Sequence, residues 1–358
     1  MSGRQGFRTL VLATSYAPEL RRPELRPKEY PRTDYVALSR VINCDILDYA
    51  IYDDSAVRRT WRRFERKFRL DFHLAALGYR RAAKYDVVLL MSEQVAIPYM
   101  MLQRMLGRRA ATVYVSAHSS RKQAKLVRSL RLFDGLDIAV SNACCQRQFL
   151  TESMRIPDER IRCVHYAVDE SFFVPEEGTS AEYVLSAGIA NRDYATLFEA
   201  VKGMPIRVKI AAGGRFYSLG AARSLPPRPE NVEFVPPTDA VGMRRLHQRA
   251  AVVVVPLLEE RMDATGCSVV LEAMACAKPV AAGRTMGIAE YVRDGQTGLL
   301  VDRRDPGEMR FALTRLLESD DLQRKLGAQG RAESEGRFAF RTLVQGLARA
   351  SQEACDSA

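Results

Sequence analysis

Short apolar runs rich in Val, Ile and Leu recur at Leu10–Leu12, Asp86–Leu90, Thr112–Ser116 and Asp137–Val140, separated by longer stretches of helical period. After a break the rhythm resumes at Tyr183–Ser186, Val208–Ala212, Val232–Val235, Val252–Val255, Pro279–Ala282 and Gly298–Val301. Runs apolar at every position, rather than at alternate ones, belong to strands buried on both faces. Alternating with helices, such strands build parallel sheets. The pattern predicts an α/β protein with two tandem doubly wound domains. The break falls at residues 171–180, where Ser-Phe-Phe-Val-Pro-Glu-Glu-Gly-Thr-Ser has no period and carries Pro175 and Gly178. The expected division is a first domain over residues 1–172, a second over 173–335 and a terminal segment over 336–358. In open parallel sheets ligands bind outside the carboxyl ends of the strands, so the two domains are expected to face one another across a ligand-holding cleft.

Composition narrows the class. The chain has 358 residues, 47% hydrophobic and 27% charged, which excludes a disordered protein. No apolar run approaches the roughly 20 residues of a membrane span. The first residues carry no charged-then-apolar leader, so a cytoplasmic location is expected. Seven cysteines without repeated two-residue spacing, and four histidines that do not cluster with them, predict buried reduced thiols rather than a zinc site or a disulfide frame.

Charge divides the chain. The formal net charge is +11, and residues 1–170 hold 30 Lys+Arg against 19 Asp+Glu, whereas the remainder balances at 24 against 24. The excess therefore belongs to the first half, which is expected to meet something anionic. Within it, Trp61, Phe64, Phe68 and Phe72 form one helical stripe flanked by arginines between Arg58 and Lys84. Two readings stand. The stripe rests on anionic lipid, as a peripheral contact at the inner membrane face, or it faces the core with its arginines solvated. A phosphorylated sugar or polyol would equally account for the charge. Nucleic acid is not expected, because one stripe is not a set of stacking platforms and no nucleic-acid motif occurs.

The stretch from Ala251 to Asp302 carries the chemistry. It reads as strand (Ala251–Pro256), polar loop (Leu258–Thr265), helix from Gly266 to Ala277, strand (Pro279–Ala282), helix (Ile288–Arg293), turn, and strand (Gly298–Val301). Asp263, Thr265 and Gly266 are small or capping residues that leave the first N–H groups of the helix open, a site suited to phosphate. Glu272 in the same helix suits vicinal hydroxyls, as on a ribose. By themselves, small residues before a helix equally serve packing.

Gly266-Cys267-Ser268-Val269-Val270-Leu271-Glu272-Ala273-Met274-Ala275, followed by Lys278-Pro279-Val280, Gly287 and Glu290 to Val301, resembles the nucleotide-sugar signature of the GT-B glycosyltransferases of family 4. Asp137–Ser141, Tyr166–Asp169 with Phe172-Phe173, and Gly188, Arg192 and Leu197–Ala200 follow in that family's order. The likeness covers roughly residues 110–340. It implies two Rossmann-like domains facing across a cleft (the GT-B fold), acceptor in the first and nucleotide diphosphate sugar, UDP- or GDP-type, in the second. It also implies a last helix, Phe338–Ala350, returning to the first domain. The family's ribose-holding acid maps onto Glu272, whereas the acid that contacts the donor sugar maps onto Ala264, a departure that shifts sugar contacts to the Gly266–Ser268 backbone, Cys267 included, to Asp263 or Thr265, or to the acceptor domain. Of the family's Arg and Lys beside the leaving diphosphate, Ile189 stands for the first and Arg192 for the second. A guanidinium grips two phosphate oxygens at once. His118, ending the run Ala111–Ala117, matches a family histidine near the reacting sugar, or caps the helix that follows.

The resemblance implies transfer with retention, in which the leaving phosphate takes the acceptor's proton, with no metal and no cofactor beyond the co-substrate. The expected catalytic residues are His118, Arg192 and Glu272, and the donor-binding set is Gly188, Arg192, Asp263, Thr265, Gly266, Cys267, Ser268 and Glu272. Alternatives on the same fold are an epimerase or hydrolase of nucleotide sugars, which uses no acceptor, and a non-catalytic binder, to which Ala264 points. A dinucleotide oxidoreductase is excluded, because Ala212-Gly213-Gly214-Arg215 is not Gly-X-Gly-X-X-Gly.

Overall fold

The computed structural model describes residues 5–21, 28–52, 65, 70–116, 121–176, 178, 181–212, 225–259 and 262–358. The chain forms two compact units, one of residues 1–25, 32–165 and 341–358, the other of 26–31 and 166–340.

The first unit is a six-stranded parallel sheet in the order β2-β1-β3-β4-β5-β6, with β1 (Gln5–Leu12), β2 (Ile42–Leu47), β3 (Val87–Leu90), β4 (Ala111–Ser116), β5 (Ile138–Ser141) and β6 (Ile161–Cys163). The register runs Thr9↔Val87, Leu89↔Val113 and Tyr114↔Ala139. Its longer helices are α1 (Phe72–Ala82), α2 (Glu93–Leu106), α3 (Arg121–Ser129) and α4 (Gln146–Met154). Val87, Val88, Leu89 and Leu90 are all wholly buried, as continuous apolar runs demand. Two strands escape the apolar pattern. In β2 the sequence Ile-Asn-Cys-Asp-Ile-Leu buries its ends and exposes its middle, as an edge strand does, and β6 has three residues around Arg162.

The second unit is also six-stranded and parallel, in the order β12-β11-β10-β7-β8-β9, with β7 (Tyr183–Ala187), β8 (Arg207–Ala211), β9 (Val232–Phe234), β10 (Ala250–Val255), β11 (Val280–Gly283) and β12 (Leu299–Val301). Its helices of eight residues or more are α5 (Tyr194–Val201), α6 (Ala240–Gln248), α7 (Cys267–Ala275), α8 (Pro306–Leu317) and α9 (Asp320–Glu335). Strand order reverses between β7 and β10, the position in an open parallel sheet at whose carboxyl end ligands bind. All six residues of β10 are buried, and Leu197, Phe198, Val252, Val254, Leu313 and Leu316 share one core with α5 and α8.

The observed boundary lies at 165/166 rather than 172/173. Phe172 and Phe173 are buried in the second unit, where Arg244 lies 4.4 Å over the Phe172 ring and Phe173 meets the His247 ring edge-on at 6.2 Å. Residues 341–358 belong to the first unit. They hold most of α10 (Phe340–Asp356), whose Glu353 accepts from Arg162 Nε at 2.6 Å and whose Gly346 leaves room for Val164.

A disulfide joins Cys144 and Cys163, which corrects the expectation that every thiol is reduced. The parallel pairing of β5 with β6 places Cys163 beside Ser141, and Cys144 lies three residues beyond Ser141. Trp61, Phe64 and Phe68 lie outside the described residues, and Phe72 opens α1, whose buried side is Leu74, Ala75, Gly78, Tyr79 and Ala82. Among the described residues no helix is long and apolar enough to cross a membrane.

Candidate functional site

Two loops of the second unit meet at the strand-order reversal. The chain leaves β7 through Gly188, whose φ of +94° is the left-handed region that a side chain disfavours. It then runs antiparallel against the residues after β10. The Asp193 N–H donates to the Pro256 carbonyl at 3.1 Å, and the Leu258 N–H donates to the Asn191 carbonyl at 3.1 Å. Asn191 completes the zipper, with its side chain bonded to both the N–H (3.0 Å) and the carbonyl (2.9 Å) of Glu259. Asp193 caps α5 by accepting from the Thr196 N–H at 3.0 Å.

This loop folds Arg192 back over its own strand. Nε donates to the Ala187 carbonyl at 2.8 Å and Nη1 to the Ala190 carbonyl at 2.9 Å. A Cβ on Gly188 would lie 2.7 Å from Nη2, and one on Gly266 would lie 3.5 Å from Nη1. The guanidinium is therefore held between two glycines, which both leave it space. Among the described residues no carboxylate pairs with it, and burial lowers its pKa. A half-buried cation held only by carbonyls retains its electrostatic demand for an anion.

The other wall is the start of α7. Its N-cap, Gly266, has φ +101°. The Cys267 N–H folds back onto the Ala264 carbonyl at 2.9 Å, and the Val270 N–H bonds the Gly266 carbonyl at 3.2 Å. Among the described residues the Ser268 and Val269 N–H groups have no backbone acceptor, so these two form the open end of the helix. Cys267, expected among the donor-binding residues, has its N–H engaged within the turn, and its buried thiol bonds Tyr291 and is pushed up to about 12 by burial. Asp263 is 1% exposed, and its Oδ1 accepts from both the N–H (3.0 Å) and the hydroxyl of Thr265. Both residues therefore shape the turn. Gly287 closes it from below, since a Cβ there would come within 2.0 Å of the Asp263 carbonyl. Ala264 is buried and offers no polar group.

One turn further along α7, Ser268 and Glu272 share a half-buried face. Glu272 Oε2 lies 2.9 Å from His247 Nε2 on α6. His247 belongs to no motif legible in the sequence. It is wholly buried and bonded to the proposed ribose acid, a pairing that nothing in the local sequence signals. His118 lies outside the described residues. Beside these loops, the carboxyl ends of β10, β11 and β12 open on a cavity of about 880 Å³ lined by Glu259, Arg284, Asp302, Arg303 and Arg304 among others. None of these side chains stood out in sequence, because their proximity depends on sheet order.

The structure thus brings Gly188, Arg192, Gly266, Ser268 and Glu272 to one rim of the second unit. Residues 194–319 match the family model described as glycosyl transferases group 1. An uncharacterized glycosyltransferase of Methanocaldococcus jannaschii is 23% identical over 193 residues, 54% of each chain. The D-inositol 3-phosphate glycosyltransferase of Corynebacterium urealyticum is 34% identical over 159 residues, 43% of this chain and 36% of that one. The matches to these relatives thus span about half of their length or less. A glycosyltransferase structure from Rickettsia africae superposes with a TM-score of 0.67 at 13% identity over 100% of both chains. The structure of Anabaena HepE in complex with UDP-glucose does so with 0.67 at 14% identity, over 96% of this chain and 98% of that one. The chain has the GT-B fold, and within its second unit residues 194–319 are similar to the glycosyl transferases group 1.

Proposed function

We propose that the protein is a retaining glycosyltransferase that moves a hexose from a nucleotide diphosphate sugar to an anionic acceptor. The observation that carries this reading is the Arg192 guanidinium, paired with no carboxylate among the described residues and held between Gly188 and Gly266 at the open end of α7. Diphosphate is the charge such a site suits, and α7 runs from there to Glu272. At 1.5 Å per residue Glu272 stands about 9 Å along the axis from the Gly266 cap, the scale of a diphosphate and the ribose it esterifies. The bond from C1 to the β-phosphate oxygen breaks as the acceptor oxygen bonds C1 on the same face, and the acceptor's proton passes to the departing phosphate. Arg192 and the Ser268 and Val269 N–H groups stabilise the charge developing on that phosphate. His118 is assigned to the sugar on the family resemblance.

UDP is the first donor base to test, since HepE is seen with UDP-glucose. The basic first half of the chain supports an anionic acceptor, as do relatives named for D-inositol 3-phosphate. The same charge supports a peripheral contact with anionic lipid at a cytoplasmic membrane face, which liposome co-sedimentation with and without anionic lipid would test. The decisive assay measures donor binding and sugar transfer for the wild type, Arg192→Ala and Glu272→Ala. Loss of both activities in the variants is expected. Unchanged binding and turnover would refute the assignment, and tight nucleotide binding without transfer on any acceptor would favour the binder that Ala264 suggests.

A further inference from the structure

His247 lies on α6, 25 residues before Glu272, and is 0% exposed. Its Nε2 is 2.9 Å from Glu272 Oε2, whereas its Nδ1 is buried with no hydrogen-bond partner among the described residues. That asymmetry selects the tautomer. A proton on Nδ1 would bury an unsatisfied N–H, whereas the Nε2–H form leaves only a lone pair unfilled and gives the carboxylate the donor it requires. Phe173 packs edge-on against the ring, and the wholly buried side chain has no room to turn. The Glu272 side chain is 20% exposed, and no hydrogen bond to its Oε1 occurs among the described residues. One oxygen is anchored inside the protein, and the other is left for a ligand.

We infer that His247 is a positioning residue: its Nε2–H holds Glu272 in the rotamer that presents Oε1 to the ribose hydroxyls of the nucleotide. This rests on the reading of Glu272 as a ribose acceptor. Without the anchor, a glutamate on an open helix face samples several rotamers and loses selectivity for the hydroxyls before it loses affinity for the diphosphate, which other groups hold.

The test is calorimetric binding of UDP and GDP, each against its 2′-deoxy counterpart, to the wild type and to His247→Phe, His247→Asn and His247→Gln. A hydrogen bond to a charged group predicts roughly tenfold or greater preference for the ribonucleotide in the wild type. His247→Phe keeps the ring packing and removes the donor, and the preference falls to about twofold or less. His247→Gln places an amide N–H near the Nε2 position and restores it. His247→Asn, too short to reach, behaves as Phe does and serves if the Phe variant fails to fold. Were His247 merely structural, ribo- and deoxyribonucleotide affinities would fall together and their ratio would stay at the wild-type value. That result in folded Phe or Asn variants overturns the inference alone. A wild type that binds nucleotide without ribose preference overturns the ribose reading of Glu272 and this inference with it.

Discussion

Replacing Arg192 by Ala tests the donor site where the structure is most explicit. The guanidinium has two bonds to carbonyls, from Nε to Ala187 and from Nη1 to Ala190, and its Nη2 faces the space above Gly188. A hydrogen bond between ionised partners contributes about 2 kcal/mol, so removing it from a bound diphosphate weakens nucleotide binding by roughly 30-fold. At a ligand concentration of about 100 Kd for the wild type, binding stabilises the fold by about 2.7 kcal/mol, and in the variant by roughly 0.9 kcal/mol. For a unit of this size the ligand-induced rise in Tm drops from roughly 8 °C to roughly 3 °C, a difference read directly in a thermal shift titration. The apoprotein also loses about 1 kcal/mol as the two carbonyls lose their partner, so each variant is compared with its own ligand-free midpoint. Arg192→Lys keeps the charge without the fork and falls between the two. If the nucleotide-induced shift of a folded Arg192→Ala protein equals that of the wild type, the diphosphate does not lie against Arg192 and the argument from its guanidinium fails.

Three further outcomes follow from named contacts. Reducing the Cys144–Cys163 disulfide, which closes a separation of 19 residues, or replacing Cys163 by Ser, lowers stability by about 3 kcal/mol in chemical denaturation and leaves nucleotide affinity in the second unit unchanged. Gly287→Ala drives a methyl into the Asp263 carbonyl, costs roughly 3 kcal/mol and weakens nucleotide binding, because the turn preceding α7 must move. Burial pushes the Cys267 and Cys276 thiols from 9.0 up to about 12, so their contribution is fully present below pH 9.0 and is lost as pH rises toward 12. Stability measured between pH 9 and 10 therefore declines, and a Cys267→Ala, Cys276→Ala double variant shows a shallower decline there. Equal slopes would refute it.

Ten of the twelve strands were legible as apolar-rich runs, most of them free of charge because a strand covered on both faces has no solvent side on which to place a charged residue, while β8 and β9 carry Lys209 and Glu233. The α7 segment was legible for the same local reason, since Gly266, Ser268 and Glu272 lie within seven residues on one helix start. The edge strand β2 was hidden because edge position lets Asn43 and Asp45 replace apolar residues in its exposed middle. Cys267 read as a ligand from its place in the motif. Only the backbone path shows its N–H turned onto Ala264 and its thiol turned inward to Tyr291.

By itself, the sequence determined the parallel α/β architecture, the basic character of the first half and the helix start that suits a phosphate, all of which follow from periodicity or composition over short spans. Tertiary structure decided the rest. It set the order of strands, closed Cys144 onto Cys163, enclosed Arg192 between glycines 78 residues apart and placed His247 against Glu272. Each of these contacts joins distant parts of the chain, and such pairings are set by which strands and helices become neighbours when both faces of each sheet are covered.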